Sequence, residues 1–149
     1  MEKNRRIIKF RAKDNVDNEW YYGDLLQAID NDTTERYFII TDNYSSKATN
    51  IELNMCQSPE VLPETFGQFT GLYDKNKVPI YEGDILNFDD EYWVVSFEYG
   101  KFIGTFDNTI YDIFEISHYE VIGNIYDNPN LLGAWIYAKK NKNKINRNI

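Results

Sequence analysis

At 149 residues the chain has room for one domain, or two small ones, and for a core that needs no covalent staples. Hydrophobic residues make up 42% and aromatic residues 16%, with 12 Tyr, 9 Phe and 3 Trp, which excludes disorder as the default and favours sheet faces. The net charge of −8 divides into basic ends, residues 1–14 and 139–149, and a body over 15–138 with 22 acids against 5 bases, a balance that opposes nucleic-acid binding.

Residues 5–12, RRIIKFRA, predict a first strand with Ile8 and Phe10 on one face. Residues 19–26 predict a second, with Gly23 as a bulge. Residues 36–41, RYFIIT, predict a third from their β-branched content. Asp42, Asn43, Ser45 and Ser46 supply turn-forming side chains, residues 51–55 suit a short fourth strand, and Ser58-Pro59 and Leu62-Pro63 interrupt regular structure. Residues 67–72 read as extended, and 74–77 as a tight polar turn. Residues 79–81 then lead through Glu82-Gly83-Asp84 into a strand over 85–88. Beyond the Asp89-Asp90 turn, residues 92–98 alternate, so that Trp93, Val95 and Phe97 share a face. Tyr99-Gly100 suits a two-residue hairpin turn before a return strand over 101–106, completing a three-stranded meander. Residues 108–116 are open between extended chain and a short helix, and 119–126 predict a further strand. Asn128-Pro129 marks a helix start, with Asn as N-cap and Pro at the first position. Leu131, Leu132, Trp135 and Ile136 follow at helical spacing, to about Lys140.

The expected fold is mainly β (α+β): an N-terminal β-rich region over 1–62, then an SH3-like small barrel or meander with a short C-terminal helix over 63–140. A basic flexible tail over 141–149 completes it.

Three stretches resemble the YopX family of phage and prophage proteins. The first is Lys9-Phe10-Arg11-Ala12 followed by residues 20–26, WYYGDLL. The second runs over residues 63–76, PETFGQFTGLYDKN, and continues through Ile80-Tyr81-Glu82-Gly83-Asp84-Ile85. The third covers residues 121–129, VIGNIYDNP, and ends in Leu131-Leu132. The resemblance implies phage or prophage origin, a mostly-β fold and self-assembly into a ring-like or multi-dimer oligomer. It implies no reaction, and no catalytic residue is carried over. Where relatives tend to have Asn-Gly after Asp-Lys, this chain has Asn76-Lys77, so a wider turn is expected there.

The chemistry-bearing residues are few. In the Tyr81-Glu82-Gly83-Asp84 stretch, Asp84 suits a turn-tying carboxylate. A Glu82/Asp84 pair would do acid–base work only if their environments drove their pKa values apart. His118 is the sole histidine and no G-x-S-x-G pattern accompanies it. Cys56 is the sole cysteine and has no basic neighbour in sequence, so neither an activated thiolate nor a Cys/His zinc site within one chain is expected. Asp89-Asp90-Glu91 lacks the spacing of a known cation loop. No phosphate-cradling motif occurs. Arg5, Lys9 and Arg11, on one expected strand face, are the candidate phosphate contacts.

The lone thiol, the absence of an apolar run near ~18 residues and the lack of an apolar leader segment lead to an expected place in the host cytoplasm. The leading expectation is a phage-encoded, non-catalytic homo-oligomer that acts on a host protein or sequesters a ligand. Its candidate binding or interface residues are Trp20, Tyr22, Tyr81, Glu82, Asp84, Trp135 and Ile136. No metal, cofactor, membrane or direct nucleic-acid partner is expected. The alternatives are an acidic nucleic-acid mimic and, last, a hydrolytic enzyme using Glu82, Asp84 and His118.

Overall fold

A computed structural model describes residues 5–41 and 58–133, and the chain divides into two compact units, Met1–Gly71 and Leu72–Ile149. The architecture is mainly β, with every assigned strand pair antiparallel.

The first unit is a meander of β1 (Phe10–Lys13), β2 (Trp20–Ile29) and β3 (Glu35–Thr41), with the start of β4 (Gly67–Tyr73) on the free side of β1. The registers Lys13↔Trp20 and Leu25↔Ile39 fix which side chains face inward. Residues 59–62 then tie β3 to β1. The Ile39 N–H donates to the Pro59 carbonyl at 3.2 Å, the Val61 N–H to Tyr37 at 2.8 Å and the Leu62 N–H to Lys13 at 2.8 Å. These bonds satisfy backbone groups that would otherwise be buried unpaired around Ala12, Ile39 and Val61. Phe10, Tyr21, Leu25, Tyr37 and Phe66 pack against that centre. At Pro63, where the sequence predicts the boundary between regions, a one-turn 3-10 helix (Pro63–Thr65) opens.

Two expectations change here. The first strand starts at Phe10 rather than at residue 5: its pairing begins at Phe10↔Gly23 and Phe10↔Gln68, one further bond runs from the Phe69 N–H to the Lys9 carbonyl at 2.7 Å, and Ile7 and Ile8 are exposed. Gly23 forms no bulge: it pairs in unbroken register with Phe10 and Thr41. A Cβ at Gly23 would collide with the Ile40 carbonyl, so glycine is required by the close approach of β3.

The second unit contains β5 (Pro79–Tyr81), β6 (Asp84–Phe88), β7 (Glu91–Glu98), β8 (Lys101–Phe106), β9 (Thr109–Asp112), α1 (Ile113–Ile116) and β10 (Glu120–Asn124). Its sheet has the order β10-β6-β7-β8-β9. The meander therefore has four strands, not three, because residues 108–116 resolve into β9 and α1. Asp89-Asp90 and Tyr99-Gly100 join their strands with positive φ at both positions, the conformation whose twist matches a two-residue hairpin. Asp112 and Glu115 form a reciprocal capping box at α1. Ile113 and Ile116 of α1 join Ile80, Leu86, Trp93, Val95 and Phe102 in the core.

The Asp74–Val78 turn is not widened by Lys77. The Lys77 N–H donates to the Asp74 carbonyl at 3.0 Å, and the Asp74 N–H to the Val78 carbonyl at 2.8 Å. Lys77 takes the left-handed conformation, φ 66°, at the position where glycine is usual in a three-residue loop. At the other end of the unit, Asn128 does not cap with its side chain. Its Oδ1 instead accepts the Asn124 N–H at 3.2 Å, and a one-turn 3-10 helix (Pro129–Leu132) follows. The rest of the expected C-terminal helix, with Trp135 and Ile136, lies outside the described residues, as do the strand expected over 51–55 and Cys56.

Candidate interaction surface

Strand alternation and register bring aromatic side chains of the second unit together. Leu86 and Phe88 on β6 oppose Trp93 and Glu91 on β7, Val95 opposes Gly104 on β8, and Gly104 opposes Tyr111 on β9. Side chains opposite one another lie on the same face of a sheet. The middle of this face is core, and α1 closes over it at Gly104, where a Cβ would strike the end of the Ile116 side chain. At the edge of that cover the rings reach solvent. Phe88 is 49% exposed and Tyr111 42%, His118 is exposed, and Tyr119 is half-buried.

The rings form a continuous run. Phe88 stacks on Tyr119 at 4.5 Å between centroids with planes 12° apart, and His118 meets Tyr119 edge-on at 4.6 Å. Tyr119 lies 6.3 Å from buried Trp93, which stacks against Tyr111 at 4.9 Å. Carboxylates border the run. Glu91 accepts the Trp93 indole N–H at 3.2 Å, and Glu115 accepts the Asp112 N–H at 3.0 Å. Burial raises the Tyr119 phenol pKa above its usual value, and the negative charges of Glu91 and Glu115 push it the same way, with Tyr111 between them in effect. Residues 72–133 hold 12 acidic side chains against 3 basic ones. Two of those three bases are engaged, Lys75 with Glu120 at 3.0 Å and Lys101 with Asp112 at 3.3 Å. Flat π faces under a negative potential suit a cationic group.

Of the residues singled out by sequence, Trp20 and Tyr22 belong to the first unit and Tyr81, Glu82 and Asp84 to the second. Tyr81 and Asp84 are interior, 3% and 1% exposed, and Asp84 Oδ2 accepts the Tyr81 N–H at 2.8 Å. Gly83, at φ 85°, donates to the Val95 carbonyl at 2.8 Å and accepts from Ile125 at 2.9 Å, so this motif anchors a turn to two neighbours. Glu82 is half-buried on that turn. Of the three residues of the hydrolytic alternative, Asp84 holds backbone and the His118 ring packs on Tyr119 and Phe88. In the first unit the Arg11 guanidinium lies 4.7 Å from the Trp20 ring centroid and the Lys13 ammonium 5.4 Å away, while Tyr22 is 41% exposed beside them. Arg11 is 6% exposed and Arg5 and Lys9 precede β1, so the three expected phosphate contacts share no strand face. Among the described residues, no three His, Cys, Asp or Glu side chains are grouped to hold a metal ion.

Phe88, Tyr111 and Tyr119 were missed as a set because they belong to three different segments that only strand register brings together. The signal available was local: Phe88 shares the face of Leu86, and Glu91 that of Trp93.

Fold and surface together define a mainly-β protein of two small sheet units, one of which opens an acidic, aromatic edge. The chain belongs to the YopX family: the model described as "YopX protein" matches residues 9–133. Among solved structures it is similar to protein EF1440 from Enterococcus faecalis. That crystal structure is 29% identical, covers 86% of this chain and 99% of its own, and superposes with a TM-score of 0.54. A search of curated proteins finds no match. Among the described residues no helix is long and apolar enough to cross a membrane.

Proposed function

We propose that the chain is a phage-derived, non-catalytic homo-oligomeric binding protein that acts on a host protein or sequesters a ligand in the host cytoplasm. The observation that carries this reading is the open aromatic edge of the second unit. Exposed rings grouped beside a packed core are the material of interfaces, where Tyr, Trp and Phe supply area at low entropic cost. The use of Asp74, Asp84 and Asp112 as backbone acceptors at turns and a helix start adds to it. Light scattering on the purified chain across a concentration series tests it. The reading expects a mass above that of one 17.7 kDa chain.

A second reading, an acidic mimic of nucleic acid, draws on the 12 acids against 3 bases over residues 72–133. It expects capture of a DNA- or RNA-binding partner to fall steeply between about 0.05 and 0.5 M salt. Capture that survives the higher salt would leave the first reading alone.

A further inference from the structure

We infer that the aromatic edge of the second unit, formed by Phe88, Tyr111 and Tyr119 with Glu91 and Glu115 beside it, receives an arginine-presenting segment of a partner protein. The inference rests on the binding-protein reading and names the chemistry of the partner.

Three observations converge on arginine. The exposed rings offer π faces, and Phe88 and Tyr119 lie nearly parallel, 12° apart, so that a flat group can extend their stack. A guanidinium is flat and weakly hydrated and stacks on aromatic faces, whereas an ammonium is compact and strongly hydrated. Carboxylates border the rings. Glu91 has one oxygen on the Trp93 indole, and an ionised carboxylate has acceptor capacity beyond a single bond. A guanidinium fork matches a carboxylate in two parallel hydrogen bonds. Finally, residues 72–133 carry 12 acidic side chains against 3 basic ones, which steers a cationic segment in and repels phosphates. A purely apolar segment fits less well, because docking it would strip water from Glu91 and Glu115 without pairing them.

The test uses the full chain and two synthetic peptides of equal length and charge, one alternating Arg with Gly and the other Lys with Gly. Isothermal titration should show the Arg peptide binding at least about threefold tighter than the Lys peptide. Phe88→Ser leaves the net charge unchanged and should weaken the Arg peptide about 2–5-fold, as should Tyr111→Ser. Tyr99→Ser, at an 83% exposed position in the hairpin at the other end of β7, should change nothing. Circular dichroism checks each variant. If Tyr111→Ser loosens the core by uncovering Trp93, Phe88→Ser carries the test alone. Equal affinity for the two peptides with no effect of Phe88→Ser would mean plain polycation attraction and would overturn the inference, as would no binding of either. Self-association that persists when the Arg peptide fails removes this inference and leaves the oligomeric reading standing.

Discussion

Asp74 shows what most carboxylates of known surroundings do in this molecule. It is 4% exposed; its Oδ1 accepts the N–H groups of Asn76 at 2.7 Å and Val78 at 2.9 Å, and its Oδ2 that of Val121 at 2.9 Å. Burial alone would raise its pKa, but the donors from Val121, Val78 and Asn76, helped by Lys75, outweigh burial and hold it below the usual carboxylate range. Since the folded value is depressed, its stabilisation is fully present above the unfolded pKa of about 4 and is lost as pH falls through the folded value. Asp74→Asn can offer an acceptor to only one side, and should cost about 1.5–3 kcal/mol at neutral pH. The deficit should shrink in acid below the usual carboxylate range, where the wild-type carboxylate itself protonates. Urea unfolding at both pH values measures this; an unchanged deficit would contradict it. Lys77 offers the opposite case, an L-residue at φ 66°. Lys77→Gly relieves the left-handed strain and gives back part of the gain as chain entropy, a net stabilisation of about 0.5–1 kcal/mol. The thermal midpoint should rise by about 1–4 °C.

At the scale of elements, the hairpins were legible in sequence and the closures were not. Asp89-Asp90 and Tyr99-Gly100 are read directly, because turn chemistry is local. So is the alternation of Trp93 and Val95, both buried, with Phe97 exposed where the strand runs out to its turn. Gly104 looks like any strand glycine until α1 is placed on it, and α1 has only four residues, too few to be stable by propensity. It is held by its capping box and by Ile116, which is fully buried. Gly104→Val should therefore force Ile116 off β8 and cost about 1–3 kcal/mol. A lowered urea midpoint with unchanged slope would register that. Retained stability would mean the helix is anchored elsewhere. Asn128 does stand at the N-cap of the Pro129–Leu132 turn with Pro129 following, but its side chain works elsewhere: its Oδ1 accepts the Asn124 N–H, and Gly123 leaves the room, since a Cβ there would strike that same oxygen.

For the molecule as a whole, composition and charge indicated a β-rich acidic chain, and the quoted stretches indicated its family. They did not indicate the surface. Trp20, Tyr81 and Asp84 drew attention as marked residues of short motifs, yet Trp20 lies against Arg11 and Lys13, and the other two are interior. Phe88, Tyr111 and Tyr119 carry no motif and meet only through strand pairing and ring stacking. Family membership narrows what the chain is without assigning a reaction, so the account rests on recognition by a surface and on copies of the chain assembling. The most direct measurement is the mass of the purified protein under non-denaturing conditions across a micromolar concentration series. The account predicts a defined multiple of 17.7 kDa that is retained on dilution. A single-chain mass at every concentration would contradict it.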